Sequence, residues 1–340
     1  MRYYMKHLRK HKIAYIYGAA FAVLLFSVVL GVLLGPTKLN LGMTLFGEIL
    51  RGSTDSPEAR ILLYVRLPRV LATLLCGMAL AVSGAVIQGV LANRLASPSI
   101  IGVNAGAGLG VVLCAAFGLQ GAWQTPLFSF VGAFVAVLLV SIGAKKWGAS
   151  RGTVILMGVA LNAFLGAMSD TVTTFVPDVG VMRNDFKIGH FTAVTYAKLI
   201  PVAVLTLGVV VVLVTLSNEL DVLTLGDETA KGLGLNTGTM RVIFLLLSAL
   251  LAGAAVSLCG LLSFVGLLVP HAVRRAAASQ SKHLIPLCAL FGASFVSLCD
   301  TLSRVLFAPY ELPVGILMAF LGAPFFIFIL MKGKGGHRNV

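Results

Sequence analysis

The chain has 340 residues, of which 58% are hydrophobic and only 11% are charged, and its formal net charge is +14. A chain of this composition would expose apolar surface on every side if it folded in water. The composition therefore excludes a soluble globular protein and indicates a chain whose solvent is lipid. We predict an all-α, polytopic integral membrane protein that forms one transmembrane domain over residues 1–340.

Apolar runs follow one another along the chain, and a helix that crosses the hydrocarbon core needs roughly 20 apolar residues. The runs are continuous instead of alternating, which favours helices over a membrane β-barrel. The seventh and eighth runs are together too long for one crossing, so we expect a tight turn at Gly260 and an eighth helix that continues past Pro270 or breaks there. The ten predicted spans are 13–34, 67–91, 100–118, 126–143, 153–175, 199–217, 241–259, 261–275, 284–307 and 314–331.

Lysine and arginine predict the orientation, because short loops rich in these residues stay in the cytoplasm. They cluster in residues 2–12, 145–151, 274–282 and 332–338. Ten crossings place all four clusters on one side, so both termini and the 219–240 loop are predicted to be cytoplasmic. The positive charge then serves topology and attraction to anionic membrane lipid, and we expect no nucleic-acid binding.

The chain lacks the motifs of a self-sufficient enzyme. It contains no phosphate-binding loop, no zinc-binding pattern and no nucleophile turn, and His271 has no second ligand at metal spacing. Its five cysteines lie in or at the ends of spans without a Cys-x-x-Cys pair, which favours packing roles. We expect no catalysis and no metal or cofactor bound by this chain, so any ATP that drives it is bound by another subunit.

The first informative pattern runs from the second span into the third. Arg66-Leu67-Pro68-Arg69 opens the second span, where a proline in the first turn costs no hydrogen bond. A short break follows at 93–98 before a glycine-rich helix begins. Taken alone, the segment also fits a tightly packed helical hairpin. The second span carries small residues that let neighbouring helices approach closely: Gly77, Ala81, Gly84, Ala85 and Gly89.

A second pattern lies between the sixth and seventh spans, in residues 223–235. Asp227 and Glu228 suit the N-terminus of a helix, and Gly232 or Gly234 suits its end. We therefore predict a short helix on the cytoplasmic side.

Two further stretches complete the set. Gly260 to Arg275 reads GLLSFVGLLVPHAVRR, and Asp300 to Pro324 reads DTLSRVLFAPYELPVGILMAFLGAP. The four patterns, in this order over nearly the whole chain, resemble the FecCD-type permease subunits of ABC importers, the family that takes up iron–siderophores, haem and cobalamin. The resemblance implies a multi-pass protein of the bacterial plasma membrane. Its implied partners are a second permease subunit (the same chain or a paralogue), two ATPase subunits that bind ATP and Mg, and an external substrate-binding protein.

The resemblance assigns a docking role to three outer arginines, which would receive acidic residues of the binding protein: Arg66, Arg69 and Arg304. Two alternatives stay open from the residues themselves. Arg304 can pair with Asp300 one turn earlier, and Arg66 and Arg69 can reach lipid headgroups.

The resemblance also implies an ATPase contact within the 219–240 loop, at Leu225, Gly226, Asp227, Glu228, Ala230, Gly232, Leu233 and Gly234. An inner gate is expected in the break after the second span and at the start of the fifth, at Asn93, Leu95, Ala96, Pro98, Ser150 and Thr153. Asp170, in the outer part of the fifth span, either lines the pathway or pairs locally with Arg183, because an acid there is costly without water or a partner.

The chain departs from the family at two places. Arg94 stands where the family usually has proline, which adds a cation to the gate. Leu261 and Ser263 stand where the family tends to have proline and glycine, so we expect a more regularly helical segment after Gly260.

A faint internal echo supports the same architecture. Arg69-Val70 leads to Ala81-Val82-Ser83-Gly84 in the second span, and Arg241-Val242 leads to Ala255-Val256-Ser257 in the seventh. The predicted topology makes these helices run in opposite directions, as in the inverted repeats of transporters.

We therefore expect a permease that passes an iron chelate, haem or a corrinoid inward by alternating access, with no bond chemistry. An ion-gradient-driven transporter is the first alternative, although such proteins place ionisable residues near the bilayer midplane. A non-transporting scaffold is the second, and it would not need the acidic loop.

Overall fold

The computed structural model of the chain describes residues 2–37, 56–119, 121–146, 150–192, 194–277 and 280–334. Every regular element in these ranges is a helix. The helices are α1 (Arg2–Leu33), α2 (Pro57–Val90), α3 (Val103–Ala116), α4 (Gln124–Lys146), α5 (Arg151–Phe175), α6 (Val179–Ile188), α7 (Tyr196–Thr215), α8 (Ser217–Thr224), α9 (Asp227–Gly232), α10 (Thr237–Cys259), α11 (Val265–Ala276), α12 (Ser281–Val305) and α13 (Val314–Lys334).

Each of the ten predicted spans overlaps one of these helices over most of its length, which confirms a polytopic helical fold. Within the described residues, seven helices are long and apolar enough to cross a bilayer: α1, α2, α4, α5, α7, α10 and α12. The third predicted span corresponds to the shorter apolar helix α3, and the tenth lies within α13. The eighth corresponds to α11, whose 12 residues extend only about 18 Å, less than the roughly 30 Å of hydrocarbon.

The second span begins earlier than predicted. Ser56 caps the helix by accepting a hydrogen bond from the Ala59 amide at 3.2 Å, and Pro57 occupies the first turn. The helix then passes through a π-helical stretch, Ile61–Arg66. The helix therefore starts ten residues before the predicted span start at 67, because the residues up to Arg66 continue the helix.

Glycine determines how closely the central helices pack. A Cβ added at Gly77 of α2 would lie 2.2 Å from the carbonyl oxygen of Gly292 in α12, and one at Gly84 would lie 2.0 Å from that of Gly266 in α11. Backbone is in van der Waals contact with backbone at these crossings, as the small residues of the second span predict.

Paired contacts give the relative directions of the helices. Ser83 Oγ donates to the Ser248 carbonyl at 2.8 Å, while Cys76 Sγ lies 3.7 Å from the Ala255 carbonyl oxygen. Earlier residues of α2 therefore meet later residues of α10, so these two helices are antiparallel. This confirms the opposite directions expected for the internal echo.

The first and ninth spans agree with the same topology. Ser297 in α12 contacts the Ser27 carbonyl of α1, and Arg304, one to two turns later, contacts the Gly31 carbonyl. α1 and α12 are therefore parallel, as the ten-span topology requires. Which membrane face holds the termini stays a prediction, and residues 1 and 335–340 lie outside the described residues.

The expectation of a more regular helix after Gly260 is wrong. Residues 261–264 are not helical, and Phe264 has a φ of 67°, in the left-handed region. The Leu261 amide donates to the Phe186 carbonyl at 2.9 Å, so α6 takes the backbone bond that a continuous helix would have used. The turn at Gly260 is confirmed, and α11 continues past Pro270.

Candidate coupling and translocation site

The short helix predicted between the sixth and seventh spans is present as α9, with Asp227 and Glu228 in its first turn. Its cytoplasmic position stays a prediction. Its end follows a common glycine-terminated pattern. Gly234 has a φ of 86°, the Gly234 amide donates to the Lys231 carbonyl at 2.9 Å, and the Leu235 amide donates to the Ala230 carbonyl at 3.0 Å. Gly234 therefore terminates the helix, while Gly232 is its last residue.

The α9 segment presents an uncovered apolar surface. Leu225 and Leu233 flank the helix with 60% and 63% of their surface exposed, while Ala230 is buried against the rest of the protein. The space beside Gly226 and Gly232 is open, since a Cβ added at either residue would meet no atom within 4 Å. An approaching chain would therefore not be hindered there. The α9 segment therefore exposes two leucines, Leu225 and Leu233, next to the acidic first turn of the helix.

Asp227 connects α9 to two membrane helices. Its carboxylate accepts a hydrogen bond at 2.6 Å from Arg241, whose side chain is almost wholly buried near the start of α10. The same carboxylate oxygen lies 3.9 Å from Arg151 at the start of α5, and Arg151 donates to the Leu223 carbonyl at 2.8 Å. These contacts therefore connect α9 to the first turns of α5 and α10.

This connection joins two groups of predicted residues. Ser150 caps α5 by accepting a hydrogen bond from the Thr153 amide at 3.1 Å. Ser150 also lines a cleft of about 730 Å³ together with Asp227 and Gly234. One half of the predicted gate is thus adjacent to the predicted ATPase contact. The sequence did not reveal the link, because Arg151 was counted only as a topology charge and Arg241 only as part of the internal echo.

The other half of the predicted gate lies in the break between α2 and α3. The Asn93 side chain accepts a hydrogen bond from the Leu95 amide at 2.9 Å and forms the turn, while Ala96 and Pro98 are buried. Leu95 is exposed. Among the described residues, no hydrogen bond or ion pair joins this break to residues 150–153.

A cavity of about 540 Å³ lies beside α5, between α3, α6 and the turn Pro98–Ile101. Asn162 of α5 donates to the Ser99 carbonyl at 2.9 Å and so holds this turn against the cavity. The described lining includes no carboxylate. Its polar members are Ser99, Asn104, Asn162, Ser169, Arg183 and Lys187.

Asp170 forms a salt bridge with Arg183 of α6. Of the two alternatives for Asp170, local pairing with Arg183 is the one that agrees with this contact. Asp170 is not among the residues that line the neighbouring cavity, whereas Arg183 is. The helix α6 itself was not predicted, because its ten residues are too few to cross a bilayer and mix apolar with charged side chains.

The three outer arginines are buried, with 3%, 7% and 2% of Arg66, Arg69 and Arg304 exposed. Arg69 bonds to Asp300 with two nitrogens, at 2.9 Å and 3.1 Å, and to Glu311 at 2.7 Å. The Arg304–Asp300 pair one turn apart is confirmed at 3.1 Å.

Arg66 and Arg304 also cap the end of α1. Arg66 donates to the Val32 and Leu33 carbonyls at 3.0 Å and 2.7 Å, and Arg304 donates to the Gly31 carbonyl at 3.0 Å. The last carbonyls of a helix have no partner within it, and cations are favoured there. These arginines therefore join α1, α2 and α12. Docking of a binding protein on them stays a prediction, but their burial leaves little charge on the surface and contradicts a lipid-headgroup role for Arg66.

The sequence matches a known family of membrane transport proteins over most of its length. Residues 23–332 match the model of the FecCD transport family. The chain is 35% identical over 323 residues to the hemin transport system permease protein HmuU of Yersinia pestis, covering 91% of this chain and 95% of that one. It is 36% identical over 279 residues to the Fe(3+)-citrate import system permease protein YfmD of Bacillus subtilis, covering 82% of this chain and 84% of that one.

A solved structure gives the same result. It is an ABC transporter assigned to the metal-chelate type and captured in an inward-facing conformation. This chain is 28% identical to it, with a TM-score of 0.82 over 94% of this chain and 99% of that one. The sequence match and the shared helical architecture agree over nearly the full length, and the chain belongs to the FecCD transport family.

Proposed function

We propose that this multi-pass inner-membrane protein is the permease subunit of an ABC importer that moves an iron chelate or haem into the cytoplasm. The proposal includes a second permease subunit, two ATPase subunits that bind ATP and Mg, and an external substrate-binding protein. The named relatives support the cargo class, because one is a hemin permease and another a ferric citrate permease.

The observation that carries the mechanism is the position of Asp227. Its carboxylate binds Arg241 at 2.6 Å and lies 3.9 Å from Arg151, so the exposed α9 segment is attached to the first turns of α10 and α5. An ATPase that binds Leu225 and Leu233 and moves α9 would pull on the α5 start, where Ser150 and Thr153 lie. This gives a physical route from ATP hydrolysis in a separate subunit to an inner gate.

The cavity beside α5 supports an anionic cargo. Lys187 is exposed and has no ion pair among the described residues, while Arg183 shares its charge with Asp170. Two amides, Asn104 and Asn162, provide hydrogen-bonding groups in the same wall. Ferric citrate and the propionates of haem carry negative charge, so a cationic wall without carboxylates would favour them over cationic chelates.

The burial of the three arginines bears on how a binding protein could dock. Arg69 pairs with Asp300 and Glu311 inside the protein, Arg304 pairs with Asp300, and Arg66 bonds to carbonyls at the end of α1. We propose that these contacts stiffen the platform on which the binding protein docks, while docking on the three arginines themselves stays a prediction.

Iron accumulation tests the cargo class. Cells that carry or lack the chain are supplied with radioactive iron as ferric citrate, as a ferric hydroxamate or as haem. We expect loss of the chain to abolish accumulation from at least one of the three, and Lys187→Gln to lower accumulation of an anionic chelate several-fold. Lys145→Gln, which removes an exposed cation at the end of α4, is the control. Unchanged accumulation from all three sources in cells without the chain would contradict the function.

A further inference from the structure

A groove lined only by apolar side chains lies between α11, α12 and α13, away from the cavity beside α5. Its volume is about 420 Å³, and its walls include Leu268, Ala272 and Ala276 of α11, Phe291 and Phe295 of α12, and Phe325 of α13. Leu268 and Ala276 are about two helical turns apart, so the groove extends roughly 11 Å along α11. These dimensions suit part of one acyl chain.

Two cations that have no partner among the described residues lie near the end of α11, and both are close enough to act on His271 of that helix. Arg275 immediately precedes Ala276 and is exposed, and Arg94 is exposed in the break after α2. Within the described part of the chain, neither residue has an ion pair or a side-chain hydrogen bond. The charged groups that act on His271, one turn before Arg275, are Arg94, Arg274 and Arg275, all of them cations.

The helix geometry places these charges in a continuous band. Successive residues of an α-helix are about 100° apart, so Arg275 lies beside Leu268 at the edge of the groove-lining face. His271 and Arg274 continue the band toward α2, where Arg274 donates hydrogen bonds to Gln88 and to the Ala85 carbonyl. The apolar groove therefore opens beside a cationic surface that no described carboxylate neutralises.

We propose that this groove binds one anionic phospholipid, with an acyl chain against α11, α12 and α13 and the phosphate on Arg275 and Arg94. A hydrophobic helix of a partner would fill the groove but leave the cations unpaired. An acidic protein surface would pair the cations but leave the groove empty. A lipid with a negative headgroup satisfies both, and cations beside the inner membrane surface attract such lipids.

The lipid would connect the gate to the membrane. Arg94 follows Asn93 in the α2–α3 break, and a phosphate shared between Arg94 and Arg275 would hold that break against the end of α11. The binding itself is independent of transport and concerns the purified chain alone.

Native mass spectrometry of the full chain in detergent tests the proposal. The probes are dioleoyl phosphatidylglycerol and dioleoyl phosphatidylcholine, which have the same acyl chains but differ in headgroup charge. We expect the parent chain to retain the anionic lipid preferentially. The double variant Arg94→Gln with Arg275→Gln should lose roughly twenty-five-fold in affinity for it, because each cation strengthens such binding about fivefold.

Two further variants separate the groove from the charges. Ala272→Phe, at an exposed position on the groove wall, should reduce retention of both lipids, while Lys145→Gln with Lys146→Gln should change neither. Thermal unfolding confirms that each variant is folded. Equal retention of the two lipids by the parent, an undiminished preference in the Arg94/Arg275 variant, or full retention by Ala272→Phe would each overturn the proposal.

Discussion

Asp300 is the carboxylate shared by two buried arginines, Arg69 of α2 and Arg304 of α12. It is 1% exposed and accepts bonds from Arg69 at 2.9 Å and 3.1 Å, while Arg304 lies 3.1 Å from its second oxygen. Two buried cations therefore share one buried carboxylate, with Glu311 as a second partner of Arg69. Removal of a single partner from such a cluster leaves charge in a low-dielectric interior.

We predict that Asp300→Asn destabilises the protein by about 3–5 kcal/mol, the usual cost of breaking a buried ion pair from one side. The measurement is thermal unfolding of the purified chain in detergent. Asp178→Asn, at an exposed position between α5 and α6, is the matched control and should change the midpoint little. Similar midpoints for the two variants would show that the Asp300 cluster does not stabilise the fold.

The sequence could predict only the local part of this cluster. Arg304 and Asp300 are four residues apart on one helix, so their pairing follows from helix periodicity. Arg69 lies 231 residues from Asp300 and 242 from Glu311, and nothing in the local pattern brings them together. The burial of these arginines could not be predicted for the same reason.

At the scale of helices, close approach of backbones holds the centre of the molecule together. Gly77 and Gly292 face each other across α2 and α12, and a Cβ at either would lie within 2.4 Å of the other's carbonyl oxygen. A methyl group there must separate the two helices, because backbone atoms have no flexible end that can move aside.

We predict that Gly77→Ala costs at least the roughly 1–3 kcal/mol typical of overpacking. Gly208→Ala in α7 is the control, because a Cβ there would meet no atom within 4 Å. Alanine is also the better helix former, so the control should be neutral or slightly stabilising. Unfolding midpoints in detergent report both variants, and a Gly77→Ala protein as stable as Gly208→Ala would contradict this packing.

The α9 segment makes a separate prediction about coupling. Gly232 is exposed, has an ordinary backbone conformation and has free space around it, whereas Gly234 is in the left-handed region, so a change at Gly234 would also alter the helix end. Gly232→Leu should therefore leave the membrane fold intact and reduce binding of the ATPase subunit. Co-purification of the ATPase with the permease measures this effect, and Gly208→Leu in α7 is the control. Undiminished co-purification of the Gly232→Leu protein would place the ATPase contact elsewhere.

Helices could be predicted from the sequence where their own residues are sufficient to indicate them. The long apolar runs and the acidic start of α9 were recognisable. The short α6 was missed because its ten residues mix apolar and charged side chains and are too few for a span. The non-helical residues 261–264 were missed because a hydrogen bond between Leu261 and Phe186 replaces a local one. Tertiary hydrogen bonds of this kind leave no periodic signal in the sequence.

For the whole molecule, the relative helix directions agree with ten crossings, although α11 is too short to cross alone. The two interruptions, after α2 and after α10, contribute to a shared polar cavity of about 240 Å³ lined by residues that include Ser97, Ser99 and Ser263. Transporters tolerate non-helical backbone at membrane depth where it is buried in protein or lines a cavity. This architecture supports a transport subunit over an inert scaffold.

Energy source is the property that separates an ABC permease from an ion-gradient-driven transporter. The permease is reconstituted in liposomes with its ATPase subunits and its binding protein, and uptake of radioactive ferric chelate is measured with and without ATP and in the presence of ionophores. We expect uptake only with ATP and the binding protein, undiminished by ionophores. Uptake that proceeds without the ATPase and collapses when the ion gradient is removed would contradict the account.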